Sequence, residues 1–235
     1  MVTNSFTKGF WDGLPIALGY LSVSFTFGMA AVAQGIPVWG AVMISMTNVT
    51  SAGQFAGLSL MAASGGMFEM ALTQLIINLR YALMSLSLSQ KLEKHVNLLD
   101  RFVISFCNTD EVFAVASGQR GEVGKRYLYG LILTPYFGWA IGTLIGAAAS
   151  TFLPEFIRSA LGIAIYGMFL AIIIPPAKHF RPVLWIVLLS AGLSCAFRWL
   201  PVLNQVSPGF VIIICTILTA AVGAKFFPIN EEDPQ

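Results

Sequence analysis

The amino-acid sequence predicts an all-α, polytopic membrane protein, and three observations carry that prediction. Charged residues make up only 10% of the 235 residues, against roughly a quarter in an average soluble domain. Mean hydropathy is +0.79. The run from Gly13 to Phe68 holds 56 residues without a charge, and a soluble core of this size cannot hide so long an apolar run. These observations exclude a soluble enzyme and an intrinsically disordered chain.

Charged and helix-breaking residues divide the chain into about seven or eight hydrophobic segments, most of them close to the ~20 residues that a membrane-spanning helix needs. One or two of the segments are interrupted by polar residues and are predicted to be broken or re-entrant. We predict one integral membrane domain over residues 1–228 and a polar tail at 229–235. The hydrophobic segments are, in order, residues 14–33, 38–62, 68–89, 102–117, 127–153, 159–174, 182–197 and 204–224.

The first segment has some features of a secretory signal peptide. It follows Lys8 and ends in Ala31-Val32-Ala33, which resembles a cleavage site. Its apolar stretch of about 20 residues is longer than the apolar region of a signal peptide. Asp12 and Pro15 also fit a signal peptide poorly. We therefore predict that the segment is retained as the first membrane span.

The segment at 102–117 is short and contains two acidic residues, so it leaves two topologies open. If it spans the membrane with the N-terminus inside, the Lys and Arg residues, Arg80 apart, divide 7 inside to 5 outside. If it enters and leaves on one side with the N-terminus outside, they divide 9 to 3. The excess of positive charge on cytoplasmic loops favours the re-entrant alternative. Both alternatives place the C-terminus in the cytoplasm.

Arg80, Asp110 and Glu111 are the charged residues that clearly fall within hydrophobic segments. A charge at mid-membrane costs at least ~2.5–3.5 kcal/mol, which makes each of them a candidate functional residue. The planar guanidinium of Arg80 suits a carboxylate. That carboxylate belongs either to Asp110 or Glu111, as a structural ion pair, or to an amino-acid substrate. The two roles are compatible with each other.

Polar residues predict a helix start inside the segment at 102–117. Thr109 or Asp110 can cap the free amides of a new helix, and acidic residues favour the positive end of its dipole. The pattern fits either an ordinary capped helix or a discontinuous helix that lines a transport site. In the second case, Asp110 or Glu111 holds an ammonium group or exchanges a proton.

A second polar stretch lies in the middle of the segment at 38–62. Asn48, Ser51 and Gln54 give this segment a polar face at mid-depth. The face fits either an unwound substrate wall or hydrogen bonding between helices. Because each half of the chain has such a stretch, an inverted repeat is a further hypothesis.

Motifs typical of other protein classes are missing from the sequence. It contains no P-loop, H-E-x-x-H or G-x-S-x-G motif and no His/Cys cluster with metal-ligand spacing. We therefore predict no enzyme activity, no metal and no cofactor. The net charge of +2 is too small for a nucleic-acid-binding surface. A stripe of small residues at Gly138, Gly142 and Gly146 predicts close helix packing, within the chain or with a partner subunit.

Five sequence motifs together resemble the AzlC-type branched-chain amino acid permease family, the large subunit of two-component bacterial exporters. The resemblance extends over nearly the whole chain, to about Pro228, and one departure is that Val49 and Thr50 replace the aromatic and small residues usual before the second motif. The motifs are Gly13-x-Pro15-x4-Tyr20, Ser51-Ala52-Gly53-Gln54-Phe55, Asn78-Leu79-Arg80, Thr109-Asp110-Glu111-Val112-Phe113-Ala114 and Trp139-x2-Gly142-Thr143-x2-Gly146.

The resemblance implies a permease with a small AzlD-type membrane subunit as its partner. We predict a secondary transporter that exports branched-chain or other neutral amino acids across the bacterial inner membrane, driven by an ion or substrate gradient. A passive amino-acid or small-solute channel and an uptake permease for a different small zwitterion are the alternatives. The predicted substrate-binding residues are Arg80, Asn78, Gln54, Asn48 and Ser51, and those predicted for ion or proton coupling are Asp110, Glu111 and Thr109.

Overall fold

The computed structural model describes residues 2–150, 152, 154, 156, 170 and 173–227, and these residues confirm the predicted all-α membrane class. Two short strands, β1 (Val2–Thr3) and β2 (Glu122–Val123), accompany the helices. The predicted segment at 159–174 lies almost wholly outside the described residues, as does the whole tail at 229–235. The α-helices whose two ends both lie within the described residues are α1 (Phe6–Ala33), α2 (Val38–Thr47), α3 (Ser51–Ala62), α4 (Met67–Ser89), α5 (Leu98–Phe106), α6 (Asp110–Ser117), α7 (Lys125–Ala149), α8 (Arg181–Trp199) and α9 (Pro208–Phe226).

The chain divides into two compact units. The first unit consists of residues 1–55 and 78–165, and the second of residues 56–77 and 166–235. Among the described residues, α1, α4, α7, α8 and α9 are long and apolar enough to cross a membrane. The prediction of one membrane domain over residues 1–228 stays a prediction.

The first unit is built on two parallel helices, α1 and α7, which lie unusually close together. A methyl group added at Gly28 would lie 2.2 Å from the carbonyl oxygen of Thr143, and one at Gly146 would lie 1.9 Å from that of Phe25. Contacts advance along both helices in the same direction, from Gly9 beside Tyr127 at one end to these residues at the other. The predicted small-residue stripe therefore serves packing within the chain.

The close approach of α1 and α7 predicts a large difference between two glycines of the same helix. Gly28→Ala is expected to destabilise the protein by roughly 1–3 kcal/mol, because the new methyl group overlaps backbone atoms of α7. Gly19→Ala meets nothing within 4 Å and is expected to stabilise α1 by up to about 1 kcal/mol. Thermal unfolding in detergent measures both, and equal midpoints for the two variants would contradict the packing.

Three separate parts of the chain meet at one end of the first unit. Strand β1 pairs with β2 in parallel, and Leu92 forms a bridge with Val123. The N-terminus, the connector after α4 and the connector before α7 therefore lie side by side. We call this the basic end, because it carries seven basic residues: Lys8, Lys91, Lys94, Arg101, Arg120, Lys125 and Arg126.

Helices α5 and α6 form a re-entrant hairpin that starts and finishes at the basic end. At its start, the Tyr129 hydroxyl donates to Asp100 at 2.9 Å. At its finish, the Lys91 ammonium donates to the carbonyl of Ser117. Between these points the ring of Phe106 packs against Tyr136, deeper along α7. The re-entrant alternative is therefore the one that the contacts support for residues 102–117.

Helices α2 and α3 form a second hairpin, which enters from the opposite end. Helix α2 follows the end of α1 after four residues, and Ser45 reaches Thr143 of α7 at 2.7 Å. After the break at residues 48–50 the chain turns back, because Gln54 donates to Ser45 at 2.8 Å and the ring of Phe55 packs on Phe27.

The prediction of residues 38–62 as one membrane span is therefore wrong. Asn48 leaves the helical conformation at φ −142° and ψ 86°, and the chain reverses where a continuous helix would have crossed. Both predicted topologies assumed a full span here. The spanning alternative therefore placed the connector after α4 on the side opposite the N-terminus, and the re-entrant alternative placed the N-terminus on the side opposite both connectors. The N-terminus and both connectors instead share the basic end.

Candidate functional site

The two hairpin turns line one cavity of about 210 Å³ inside the first unit. The two turns come from opposite ends of the α1–α7 pair, as an inverted repeat would require. Helix α4 supplies the remaining wall. Every lining residue is uncharged, and the set consists of Thr47, Asn48, Val49, Thr50, Asn78, Tyr81, Ser105, Phe106, Asn108 and Thr109.

A threonine directly precedes the second helix of each hairpin, Thr50 before α3 and Thr109 before α6. The amide of Gly53 donates to the Thr50 hydroxyl at 3.4 Å, and the amide of Val112 donates to the Thr109 hydroxyl at 3.5 Å. Of the two predicted capping residues, Thr109 or Asp110, the structure shows Thr109 as the cap of α6. Because α3 and α6 both start at the cavity, the positive ends of two helix dipoles meet there.

Asn108 is almost fully enclosed at the cavity wall, with 2% of its surface exposed. Its amide nitrogen donates to the Ser85 hydroxyl at 3.2 Å. Within the described part of the chain, its side-chain oxygen has no hydrogen-bond partner. Buried polar atoms in proteins are nearly always paired, so this oxygen is a candidate acceptor for a bound molecule.

Arg80 and Asp110 form the predicted ion pair, with 2.6 Å between a guanidinium nitrogen and a carboxylate oxygen. The guanidinium also donates to the Tyr81 hydroxyl at 3.1 Å and lies over the ring of that residue. The side chains of Arg80 and Asp110 remain 47% and 43% exposed. The ion pair therefore lies beside the cavity, next to the lining residues Tyr81 and Thr109, and it is not fully buried.

Glu111 takes part in a separate hydrogen-bonded cluster with α1. The hydroxyl of Tyr20 lies 2.5 Å from a carboxylate oxygen of Glu111 and 2.6 Å from the Thr109 hydroxyl oxygen. An ionised carboxylate only accepts hydrogen bonds, so Tyr20 donates to Glu111 and Thr109 can donate to Tyr20. The Tyr20 ring also packs edge-on against Trp139.

The structure separates the five predicted substrate-binding residues into four groups, and Arg80, in its ion pair with Asp110, is one of them. Asn48 and Asn78 line the cavity. Ser51 starts α3 directly after the lining residue Thr50. Gln54 of α3 is buried, and its side-chain oxygen accepts a hydrogen bond from the Trp139 indole at 2.8 Å. Their contact with a substrate stays a prediction.

Sequence reasoning missed Tyr20 as a partner of the acidic residues, although Tyr20 belongs to the first motif. It also missed Glu69 in the second unit, which is buried although charged. Its carboxylate accepts from the Ser207 hydroxyl and from the Gly209 amide at 2.8 Å, and so caps the start of α9. The available signal was the acid that ends the long uncharged run.

Comparison with known proteins shows a match to one family and to several curated relatives. The family described as AzlC protein matches residues 15–153, which contain every cavity-lining residue. An uncharacterized membrane protein of Archaeoglobus fulgidus is 32% identical over 74% of this chain and 76% of its own. The inner membrane protein YgaZ of Escherichia coli K12 is 27% identical over 72% of each chain. No solved structure matches.

Proposed function

The chain belongs to the AzlC family of membrane proteins, and from that premise we propose that it is a secondary transporter of neutral amino acids in the bacterial inner membrane. The observation that carries the proposal is the small, uncharged cavity between two opposed helix breaks. Broken helices at mid-depth are the usual place for substrate in secondary transporters. Branched-chain amino acids as substrates, and export as the direction, are part of this proposal.

The chemistry of the cavity wall supports a small zwitterion with an aliphatic side chain. Amide and hydroxyl groups can satisfy both charged ends of an amino acid, whereas Val49 and Phe106 offer apolar surface to its side chain. Val49 and Thr50 are the positions at which the sequence departs from the family motif. Because both line the cavity, we propose that they tune which amino acid is preferred.

The remaining predicted residues take roles around the cavity in this proposal. Asn48 and Asn78 contact the substrate directly, and Gln54 fixes the hairpin that presents Ser51. Arg80 meets the substrate carboxylate at the step of the transport cycle in which its ion pair with Asp110 opens.

The coupling residues occupy the first turn of α6 and its cap. Glu111, with Thr109 and Tyr20, exchanges the coupling proton in this proposal, while Asp110 holds Arg80 until substrate arrives.

Counterflow in proteoliposomes tests the proposed transport. Purified protein in vesicles preloaded with unlabelled leucine, valine or methionine is expected to accumulate the labelled amino acid transiently. Vesicles with protein but no preloaded substrate are the control. The assay is run with and without a co-expressed small membrane subunit, because the resemblance implies an AzlD-type partner. Absence of counterflow in both preparations would refute the proposed transport.

A passive channel is the second candidate, because two half-helices that meet from opposite ends also suit a pore. A channel equilibrates labelled substrate across the vesicle membrane but cannot accumulate it against its gradient. Transient accumulation in the same counterflow assay therefore separates the carrier from the channel.

The charge of the basic end leads us to propose that this end faces the cytoplasm. It gathers seven basic residues, whereas no Lys or Arg occurs between Lys8 and Arg80. In a cysteine-free background, His95→Cys is expected to resist an impermeant maleimide in intact cells, and Gln34→Cys at the other end is expected to react. The reverse labelling pattern would reverse the orientation. The cytoplasmic C-terminus stays a prediction.

A further inference from the structure

A carboxyl group and two hydroxyl groups form a chain that ends at the cavity wall. The Tyr20 hydroxyl lies 2.5 Å from a carboxylate oxygen of Glu111 and 2.6 Å from the hydroxyl oxygen of Thr109. Thr109 lines the cavity. Tyr20 and Thr109 are buried, whereas Glu111 is exposed. The carboxylate is therefore the member of the chain best placed to take up a proton.

The protonation state of Glu111 sets the direction of these hydrogen bonds, because the Tyr20 hydroxyl has a single proton to donate. With Glu111 ionised, Tyr20 donates to the carboxylate and Thr109 donates to Tyr20. The Thr109 oxygen then accepts from the Val112 amide at 3.5 Å and keeps a second lone pair to offer. With Glu111 protonated, the carboxyl group can donate to Tyr20, which then donates to Thr109. The lone pairs of Thr109 are then both used, and its own proton needs another acceptor.

Asn108 provides an independent observation beside Thr109. Its side chain is 2% exposed, and its amide nitrogen donates to Ser85. Its side-chain oxygen has no hydrogen-bond partner among the described residues. Both residues of this turn line the cavity. With Glu111 ionised, the wall therefore presents two neighbouring acceptors, which suit a ligand with an ammonium group.

Glu111, unlike Asp110, has no ionic partner in the part of the chain that the structure describes. Helix α7 places the uncharged Trp139 against Tyr20, and its tyrosines bond to acids at the basic end or to a carbonyl of α2. These tyrosines are Tyr127, Tyr129 and Tyr136. The charged and titratable groups next to the chain on α1, α4 and α6 are Tyr20, Arg80, Tyr81 and Asp110. Because Arg80 and Asp110 hold each other, Glu111 is the acid that can take up a proton here.

We propose that the ammonium group of the substrate and the coupling proton exclude each other at the wall formed by Asn108 and Thr109. With Glu111 ionised, the ammonium group donates to both side-chain oxygens. A proton that binds Glu111 turns the hydroxyl groups of Tyr20 and Thr109, so that Thr109 presents a donor to the ammonium group. This inference rests on the proposed transport of neutral amino acids. It adds that a proton is exchanged for an amino acid, with Tyr20 as a positioning residue.

The pH dependence of leucine binding tests the exclusion. Apparent leucine affinity is obtained from labelled-leucine counterflow at several concentrations, with equal pH on both sides of the membrane, over a series of pH values. In the wild type, leucine is expected to bind up to about tenfold more weakly for each unit of lower pH, because one bound proton displaces one substrate. A pH-independent affinity would overturn the inference and leave the proposed transport intact. Absence of counterflow would refute the proposed function, and this inference with it.

A ligand without the ammonium group locates the effect. 4-Methylpentanoate keeps the carbon chain and the carboxylate of leucine. At the alkaline end of the series it is expected to compete at least about tenfold more weakly than leucine, and not to weaken further as the pH falls. The series stays above the pH at which this acid itself takes up a proton. Competition that weakens with falling pH in parallel with leucine would overturn the inference.

Tyr20→Phe removes the hydroxyl in the middle of the chain and keeps the ring. The apparent affinity for leucine is then expected to change by less than about threefold across the whole pH series. Tyr127→Phe is the matched control, because it removes a hydroxyl that bonds to Asp12 at the basic end, and it is expected to keep the wild-type pH dependence. The full pH dependence in Tyr20→Phe would overturn the inference, because the charge of Glu111 would then act without the hydroxyl chain.

Substitutions in the turn examine its two acceptors separately. Thr109→Val is expected to lose the pH dependence, whereas Thr109→Ser keeps the hydroxyl and is expected to retain it. Asn108→Ala removes an acceptor outside the chain, so it is expected to weaken leucine about tenfold at every pH and to keep the pH dependence. Loss of the cap in Thr109→Val costs about 1 kcal/mol, and Tyr20→Phe keeps the test valid if that variant does not fold. Unchanged leucine affinity in Asn108→Ala would overturn the inference.

Discussion

Replacing Arg80 by Gln is expected to abolish amino-acid counterflow and to lower stability. The substitution leaves the Asp110 carboxylate beside the cavity without its partner at 2.6 Å. Breaking a fully buried ion pair costs roughly 3–5 kcal/mol. Both side chains here are nearly half exposed, so we expect a smaller loss of about 2 kcal/mol.

The double variant Arg80→Gln/Asp110→Asn separates stability from function. Removing both charges leaves no unpaired carboxylate, so stability is expected to return to within about 1 kcal/mol of the wild type. Counterflow is expected to stay abolished, because the opening ion pair is the proposed link between substrate and gradient. Thermal unfolding and counterflow on the four proteins of this double-mutant cycle provide the two measurements.

Arg120→Gln is the matched control for the Arg80 substitution. Arg120 is an exposed residue at the basic end, so its neutralisation is expected to change neither stability nor counterflow. Wild-type counterflow in the double variant would show that the pair is purely structural. Equal stability of Arg80→Gln and the double variant would contradict the coupling between the two charges.

An ion pair of Arg80 with Asp110 or Glu111 could be predicted from the sequence because the hydrophobic segments offer so few charges, and the structure gives Asp110 as the partner. An arginine and two neighbouring acids within such segments leave few other ways to compensate a charge in lipid. The cap at Thr109 follows from local chemistry in the same way, since a capping side chain and the amides it serves lie within four residues. The small-residue stripe on α7 was visible because its spacing alone presents one face.

The direction of the hairpin at 38–62 could not be predicted from the sequence. Twenty-five apolar residues are long enough to cross a membrane, and hydropathy does not record whether a chain crosses or turns back. The reversal depends on contacts such as those of Ser45 with Thr143 and Gln54, and the first joins residues far apart in sequence. The role of Glu69 could not be predicted for the same reason, because its partners Ser207 and Gly209 lie at the start of α9, far away in the sequence.

The two opposed hairpins bring the two predicted polar stretches to the same cavity. Each stretch alone fits a capped helix or a hydrogen-bonded face, and neither indicates a site. The fold places the turns at 48–50 and 107–109 against one cavity, with one helix start from each end of the α1–α7 pair. The candidate site is therefore formed by two polar turns that lie far apart in the sequence, and only the tertiary structure places them together.

Glu111→Gln is expected to uncouple transport from the proton gradient while leaving substrate exchange intact. Glu111 has no basic partner among the described ion pairs, and its contact is the Tyr20 hydroxyl at 2.5 Å. A carboxylate held by a hydroxyl can gain or lose a proton without breaking an ion pair. Uphill export driven by an imposed pH difference is expected to fall at least about tenfold, with counterflow near the wild-type rate.

Tyr20→Phe distinguishes the hydrogen bond from the packing of the Tyr20 ring on Trp139. The substitution keeps the ring and removes the hydroxyl group, so it is expected to weaken pH-driven export and to preserve stability within about 1 kcal/mol. Glu122→Gln neutralises an exposed acid of β2 and is the matched control, expected to export like the wild type. Asp110→Asn should instead slow transport at every pH, because it releases Arg80. Export that stays pH-dependent at wild-type rates in both Glu111→Gln and Asp110→Asn would refute carboxylate coupling, because neither acid in the first turn of α6 would then be needed to carry the proton.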